Sequence, residues 1–497
     1  MVKISGKLCF FVSTLFFITL VSCTSNSQTT KKTCMVQVDK WAKPQEFSDH
    51  KQWYLSMIKS VVPKPEKEED TDNSRMLYTY QTAFHGVAAQ LSEEEETFPK
   101  KKKQYPLIYR GFNSTVPTPS SMCLEGTLGH FAAGKIVICD RGISPRVQKG
   151  RVVKNAGGIG MILLNTAANG EELVADSHLL PAIAVGETEA NLIKHYATTN
   201  RNATATLAFL GTKLGFRPSP VVAAFSSRGP NILSLEILKP DLVAQGVNIL
   251  AGWTGDLGPS SLPTDHRRSK FNILSGTSMS CPHVSGIAAF LKSKHPDWSP
   301  AAIKSALTTT AYIHDNTQNP LIDASTGGPS LPFDHGTGHV NPVKALDPGL
   351  IYDIGVQDYF EFLCTQGLEP SQLVIFEKFS NRTCRNSLHN PGDLNYPAIS
   401  VVFPETKNVT VMTLHRTVTN VGPPVSSYYV PVSPFEGAVV KVEPARLNFN
   451  SKTKKLSYKI TFIKRSPRTA IEFGSLIWKD GFHRVRSPIM ITWLSLV

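Results

Sequence analysis

The stretch Asn272-Ile273-Leu274-Ser275-Gly276-Thr277-Ser278-Met279-Ser280-Cys281-Pro282-His283-Val284-Ser285-Gly286 constrains this chain more tightly than any other. Gly276 and Thr277 lead into a serine, and the apolar run 287–291 follows at helical length. That pattern predicts a turn followed by a helix, with Ser278 at or near the helix N-terminus. Pro282 is expected in the first turn of that helix, where no N–H is required. Backbone N–H groups at such a point lack intrahelical acceptors, and the helix dipole is positive there. An alkoxide attacking a carbonyl, and the oxyanion that results, would both be stabilised. Gly276 and Gly286 let neighbouring backbone come close. The plainer alternative is a buried helix with small packing residues and a capping serine.

At 497 residues the chain is long enough for three or four domains. Its formal charge of +13 is scattered, and the one dense run, Lys100-Lys101-Lys102-Lys103, reads as a solvated loop. No nucleic-acid partner is therefore expected, although a basic surface suits polyanionic surroundings. Residues 1–24 read as a secretory signal: Lys3 and Lys7 come first, then the short apolar run 8–21, then Val21-Ser22-Cys23 for cleavage. No other segment is apolar enough to span a bilayer. Removing the signal takes Cys9 and Cys23 and leaves six of the eight cysteines, in an oxidising compartment. Asn113, Asn202, Asn381 and Asn408 each open an Asn-x-Thr or Asn-x-Ser tripeptide and are candidate glycosylation acceptors. No cofactor is expected.

Along the chain, 34–98 mixes strand-like segments (34–39, 76–81, 86–91) with a helical pattern at 50–61, and Ser92 caps a glutamate-rich helix start. This is an α+β unit. Residues 105–212 alternate strand-like runs at 134–139, 160–165 and 180–185 with a short helix at 152–156 ending on Gly157-Gly158. In 217–355, the run 298–307 reads as a helix with Ser299 as N-cap and Pro300 in first position. Residues 393–497 hold short strands at 409–414, 428–431, 439–442, 456–462, 475–478 and 489–493, which suggests a β-sandwich.

These stretches resemble plant subtilisin-like serine proteases, the subtilase family. Gly276-Thr277-Ser278-Met279-Ser280 with Pro282-His283-Val284-Ser285-Gly286 is similar to the family's serine motif. Phe225-Ser226-Ser227-Arg228-Gly229-Pro230, Leu238-Lys239-Pro240-Asp241 and Pro332-Phe333-Asp334-His335-Gly336-Thr337-Gly338-His339 carry the likeness around it. The run 78–89 resembles the inhibitory propeptide, which makes His85 part of a packing motif rather than a catalyst. Cys139-Asp140-Arg141-Gly142 and the run 149–158 resemble the protease-associated domain. Asp393-Leu394-Asn395-Tyr396-Pro397 and the run 416–422 resemble the fibronectin-like C-terminal domain. The resemblance implies a multidomain α/β chain: signal (1–24), α+β propeptide (34–98), β-rich protease-associated domain (105–212), partial subtilisin-like parallel-sheet core (217–355) and fibronectin type III-like β-sandwich (393–497). It implies Ser278 as nucleophile, protein or peptide substrates, other subtilases as possible partners, and a secreted, cell-wall location. Within this frame Cys123 is expected to pair with Cys139, and Cys364 with Cys384.

One departure from the family is small: Gln245 stands before Gly246 where proline is usual, which should loosen that turn. The other is large. Family members carry a long stretch between the propeptide and the protease-associated domain, with the aspartate, histidine and oxyanion-hole asparagine motifs. Here the acidic run 93–96 passes through Pro99 and the lysines directly to Tyr105. No Asp-Thr-Gly, Asp-Ser-Gly or Ala-Gly-Asn-x-Gly occurs. His335-Gly336-Thr337-Gly338-His339 mimics the histidine motif but lies after the serine, in a segment the family uses otherwise. A serine hydroxyl is a poor nucleophile without a base and an orienting carboxylate. In subtilisin itself, losing triad members costs about 10⁴ to 10⁶ in rate, and losing the asparagine about 10² to 10³. Impaired or absent endopeptidase activity is therefore expected, with a non-catalytic secreted binding protein or a truncated gene model as alternatives. The retained core strands are also expected to show an open edge and uncovered apolar faces.

Overall fold

The computed structural model describes residues 104–111, 117–208, 215–377, 390–404, 409–465 and 469–494, with several strands upstream and isolated positions besides. The glutamate-rich helix start, most of the helical stretch 50–61, the junction 93–103, and Asn113, Asn381 and Asn408 lie outside the described residues. The chain divides into two compact units, one of 1–163, 180–183 and 193–217, the other of 164–179, 184–192 and 218–497.

In the first unit, β1 (Leu8–Cys9), β2 (Ile18–Thr24), β3 (Lys31–Val38), β4 (Met76–Tyr80) and β5 (Gly86–Ser92) form an antiparallel sheet. Its order is β1-β2-β3-β5-β4, so the three strands expected in 34–98 pair with one another. A second sheet runs β10-β6-β7-β8-β9. It comprises β6 (Tyr105–Ile108), β7 (Ile136–Asp140), β8 (Gly160–Leu164), β9 (Ala182–Val185) and β10 (Thr204–Ala205). β7 and β8 are buried at every position, which is why their sequences are apolar runs rather than alternating. The expected helix at 152–156 is the last turn of a longer one, α1 (Arg146–Asn155), which starts just after Pro145. Helix α2 (Glu187–Thr199) and the short outer strands β6 and β10 were not foreseen.

The Cys123–Cys139 disulfide, with Cα atoms 5.5 Å apart, ties the loop before β7 to that strand. Lys149 reinforces the same loop by donating to the Met122 carbonyl at 2.5 Å. Burial pushes its ammonium down to about 8. Asp140, fully buried, accepts the Tyr109 hydroxyl at 2.8 Å and pairs with Lys194. Asn202 is exposed in the turn ahead of β10.

In the second unit, α3 (Thr277–Lys294) and α4 (Pro300–Thr309) share a core of Leu291, Ala302, Ala306, Leu307, Val340 and Ile351. Ser299 caps α4 as its sequence predicts, accepting from the Ala302 N–H at 2.9 Å, with Pro300 first in the helix. The expected parallel-sheet core needs correction. Its described strands form two separate pairs: β11 (Val221–Val222) lies parallel to β14 (Ile322–Asp323), and β12 (Ile249–Gly252) antiparallel to β13 (Phe271–Leu274). A parallel sheet is stable when strands are flanked on both edges and covered on both faces. That condition fails here, and Leu250, Phe271 and Ile273 remain 66, 53 and 41% exposed.

The turns α5 (Pro332–His335) and α6 (Pro342–Ala345) lead to β15 (Leu350–Ile351), followed by α7 (Val356–Cys364) and α8 (Pro370–Glu377). Cys364 is bonded to Cys384, Cα atoms 5.9 Å apart. A β-sandwich follows. One sheet runs β15-β17-β21-β19 and the other β16-β23-β22-β18-β20. They comprise β16 (Ile399–Phe403), β17 (Val411–Asn420), β18 (Ser426–Tyr429), β19 (Ala438–Glu443), β20 (Arg446–Phe449), β21 (Lys455–Lys464), β22 (Ile471–Lys479) and β23 (Arg484–Trp493). Trp478, Trp493, Phe403, Phe462 and Tyr458 fill the space between the sheets. All six expected strands are present, and β16 and β20 add to them. β15 joins the sandwich from well upstream, Leu350 facing Asn420 and Ile351 facing Thr419.

Candidate functional site

Helix α3 begins at Thr277, with Gly276 extended at the N-cap and no side chain capping it. Ser278 is the second helical residue and is exposed, in the position its motif predicts. The chain before it is fastened to the turn 244–248. The Gly276 N–H donates to the Gly246 carbonyl at 2.8 Å, and the Ser280 hydroxyl to the Ala244 carbonyl at 2.9 Å. A Cβ on Gly246 would collide with the Ser280 hydroxyl and the Gly276 carbonyl, so only glycine fits. Asn248, at φ 55°, donates its N–H to the Ser275 hydroxyl at 2.7 Å. That left-handed backbone suits asparagine.

Pro282 is not in the first turn. The helix starts at Thr277 and runs through the proline. Apolar and small residues on both sides keep the helix going, so the proline only deletes one bond. Lacking an N–H, it leaves the Ser278 carbonyl without its intrahelical donor.

His283 turns back onto its own helix, its Nδ1 2.8 Å from the Met279 carbonyl oxygen. Among the described residues the Ser278 hydroxyl has no hydrogen-bond partner. The two histidines of the look-alike motif are buried instead. His335 lies 2.6 Å through Nδ1 from the Ser330 hydroxyl. Burial, then the nearby Arg486 charge, pushes its imidazole down to about 4. His339 contacts the Val340 carbonyl, and burial lowers it as well.

A cavity of about 500 Å³ opens beside the start of α3, lined by Val222, Leu242, Gly246, Thr277, Cys281 and His339 among others. Of α3 only Leu291 is buried, Phe290 is 43% exposed, and Cys281 is a free, exposed thiol. The motif alone pointed to none of this, because cover over a helix is a property of distant segments. What the geometry supplies is a hydroxyl at the positive end of a helix, which favours a developing anion. Among the described residues no group is hydrogen-bonded to that hydroxyl to take its proton.

Residues 130–338 match the subtilase family, 35–97 the peptidase inhibitor I9 and 393–491 a fibronectin type-III domain. Among relatives, the chain is 68% identical over 396 residues to Subtilisin-like protease SBT1.3 of Arabidopsis thaliana, covering 79% of this chain and 51% of that protein. It is 54% identical over 396 residues to Subtilisin-like protease SBT1.7, covering 79% and 52%. It is 45% identical over 462 residues to Subtilisin-like protease SBT1.4, covering 90% and 57%, both from the same plant. The chain thus spans about half the length of the relatives it matches. An inhibitor I9 match thus precedes the subtilase match and a fibronectin type-III match follows it, and over these stretches the chain is similar to plant subtilisin-like proteases.

Proposed function

We propose that Ser278 stands where a subtilisin-type endopeptidase keeps its nucleophile, and that this chain by itself hydrolyses peptides poorly or not at all. The observation that carries this reading is the exposed Ser278 hydroxyl at the N-terminus of α3, with His283 committed to the Met279 carbonyl. In an active site of this type a histidine takes the serine proton, a carboxylate orients the histidine, and an asparagine helps bind the oxyanion. The sequence motifs that would supply those three groups do not occur in this chain. On the same reading, 1–24 is a secretory signal, the protein is exported, Asn202 is open to glycosylation, and 105–212 is a protease-associated domain. Its substrates would be proteins or peptides.

The test is hydrolysis of a mixed fluorogenic peptide set by the purified secreted chain, its Ser278→Ala variant and a full-length relative. Equal background rates for the first two support the reading. Turnover that disappears only in Ser278→Ala would sink it. Sequencing the transcript across 97–103 separates a genuine short product from a truncated gene model.

A second reading is favoured by apolar side chains left exposed on β12, β13 and α3: Leu250, Phe271, Ile273 and Phe290 are each at least 41% exposed. Contiguous apolar surface marks a binding face. A non-catalytic secreted protein would use it to contact related proteases. Recovery of a related protease with the secreted chain supports this, whereas a lone, aggregating monomer counts against it.

A further inference from the structure

The ring of His483 lies between two carboxylates. In the turn from β22 to β23, its Nδ1 is 2.7 Å from Asp480 Oδ2, and its Nε2 is 3.1 Å from Asp347 Oδ2. Asp480 belongs to the same turn and also accepts the backbone N–H groups of Phe482 and His483. Asp347 comes from a different part of the chain, between α6 and β15, where the subtilase segment gives way to the sandwich. The contact is built from both sides. Gly349, at φ 77°, lies against the ring, and a Cβ there would strike His483 and the Tyr428 hydroxyl. The Gly349 carbonyl accepts the N–H groups of Val421 at 2.9 Å and Gly422 at 3.2 Å.

Two carboxylates at the two ring nitrogens set a requirement. A neutral imidazole has one N–H and one lone pair, so it can donate to only one of them. Donating to both takes the imidazolium. We propose that His483, Asp347 and Asp480 form a protonation-dependent latch that holds the 347–351 segment to the terminal β-sandwich. When the ring loses a proton, the side that keeps its bond is Asp480, whose side chain is 7% exposed and tied into the turn. The side that lets go is Asp347, whose side chain is 69% exposed.

The titratable groups facing the ring are Asp480 from its own turn, Asp347 from the segment before β15, and the Tyr428 hydroxyl from β18 at 3.4 Å. Lys479 and Arg484 flank the turn in sequence. Burial alone would lower the imidazole, but its bonds to the two carboxylates outweigh that and hold it above its ordinary value. Burial would raise Asp480, but His483 outweighs it and holds the carboxyl below its ordinary value. A raised histidine stabilises the closed latch fully below about pH 6.5 and loses that effect as pH rises through its folded value. A lowered aspartate stabilises it above about pH 3.9 and loses that effect as pH falls through its own. The latch is therefore closed in mildly acidic solution and loosens as pH rises through the raised value of the imidazole, whether or not Ser278 is reactive.

Hydrogen exchange on the full-length chain tests this at the Val421 and Gly422 amides, with rates corrected for intrinsic exchange. Their protection is expected to fall between pH 6 and pH 9, by at most about tenfold per pH unit for one proton. His483→Gln and Asp347→Asn should each remove that pH dependence, while amides of β7 in the other unit stay unaffected in all variants. Asp347 is exposed enough that its variant folds even if the histidine variant does not. Protection that is flat with pH in the unaltered chain, or a slope that survives in Asp347→Asn, would overturn the latch.

Discussion

The His283 Nδ1 lies 2.8 Å from the Met279 carbonyl oxygen, so the imidazole nearest to Ser278 in sequence serves the helix and not the serine. His283→Ala should therefore leave Ser278 as reactive as before, within about twofold. A base contributes about 10² to 10⁴ in rate. A drop of a hundredfold or more in modification of Ser278 would make His283 that base.

Leu291 is the one residue of α3 buried against α4, whereas its neighbour Phe290 is 43% exposed. Leu291→Ala should cost about 2–5 kcal/mol in urea unfolding of the second unit. Phe290→Ala should stay within about 0.5 kcal/mol, as surface substitutions do. Comparable losses at both positions would mean that something covers the outer face of α3 in solution.

Local signals were the legible ones. Gly276-Thr277-Ser278 and the apolar run after it placed a serine at a helix start, and Ser299-Pro300 placed the start of the next helix to the residue, although that helix runs on to Thr309. Six sandwich strands were readable because alternation and turn residues lie within each segment. Pro282 was misread because its preference for a first turn is weaker than the helix-forming run that surrounds it. β15 and β20 are too short for periodicity to register, and β15 joins the sandwich only through pairing with β17. The expected parallel core failed for the opposite reason. Strand pairing is non-local, and a segment that reads as a sheet strand stays a fragment without neighbours. The paired carboxylates around His483 belong to segments far apart in sequence, so no spacing pattern could reveal them.

Arg228 holds two stretches of the second unit together, its guanidinium bonded to Asp323 and to Asp334. Asp323 is nearly buried, and its bonds to Arg228 hold its carboxyl below the ordinary range despite the opposing effect of burial. Arg228→Ala leaves that carboxylate unpaired and should cost about 3 kcal/mol, at the low end for a broken buried pair. In the unaltered chain the contribution is present above about pH 3.9 and lost as pH falls through the depressed value. Urea midpoints at pH 6 and pH 3 check both points. The difference between the unaltered chain and Arg228→Ala should shrink at pH 3, and an undiminished difference would contradict the pairing.

His335 works against the His483 latch in acid. Burial lowers it to about 4, so the unfolded chain takes up its proton first as pH falls. Its contribution is complete above about pH 6.5 and is lost between there and pH 4, with a slope of up to about 1.4 kcal/mol per pH unit. His335→Gln should flatten the loss of stability over that interval in thermal unfolding. An unchanged slope would show that the ring is already protonated when folded.

The most direct test is labelling of Ser278 by a fluorophosphonate on the secreted, full-length chain, read by mass spectrometry of the peptide that carries it. A full-length relative treated alongside provides the reactive standard. A serine without a base should label more slowly than that standard by about 10⁴ or more, the scale that triad loss reaches in subtilisin itself. Labelling of Ser278 at a rate within tenfold of the relative would contradict the proposal that this chain by itself hydrolyses peptides poorly or not at all.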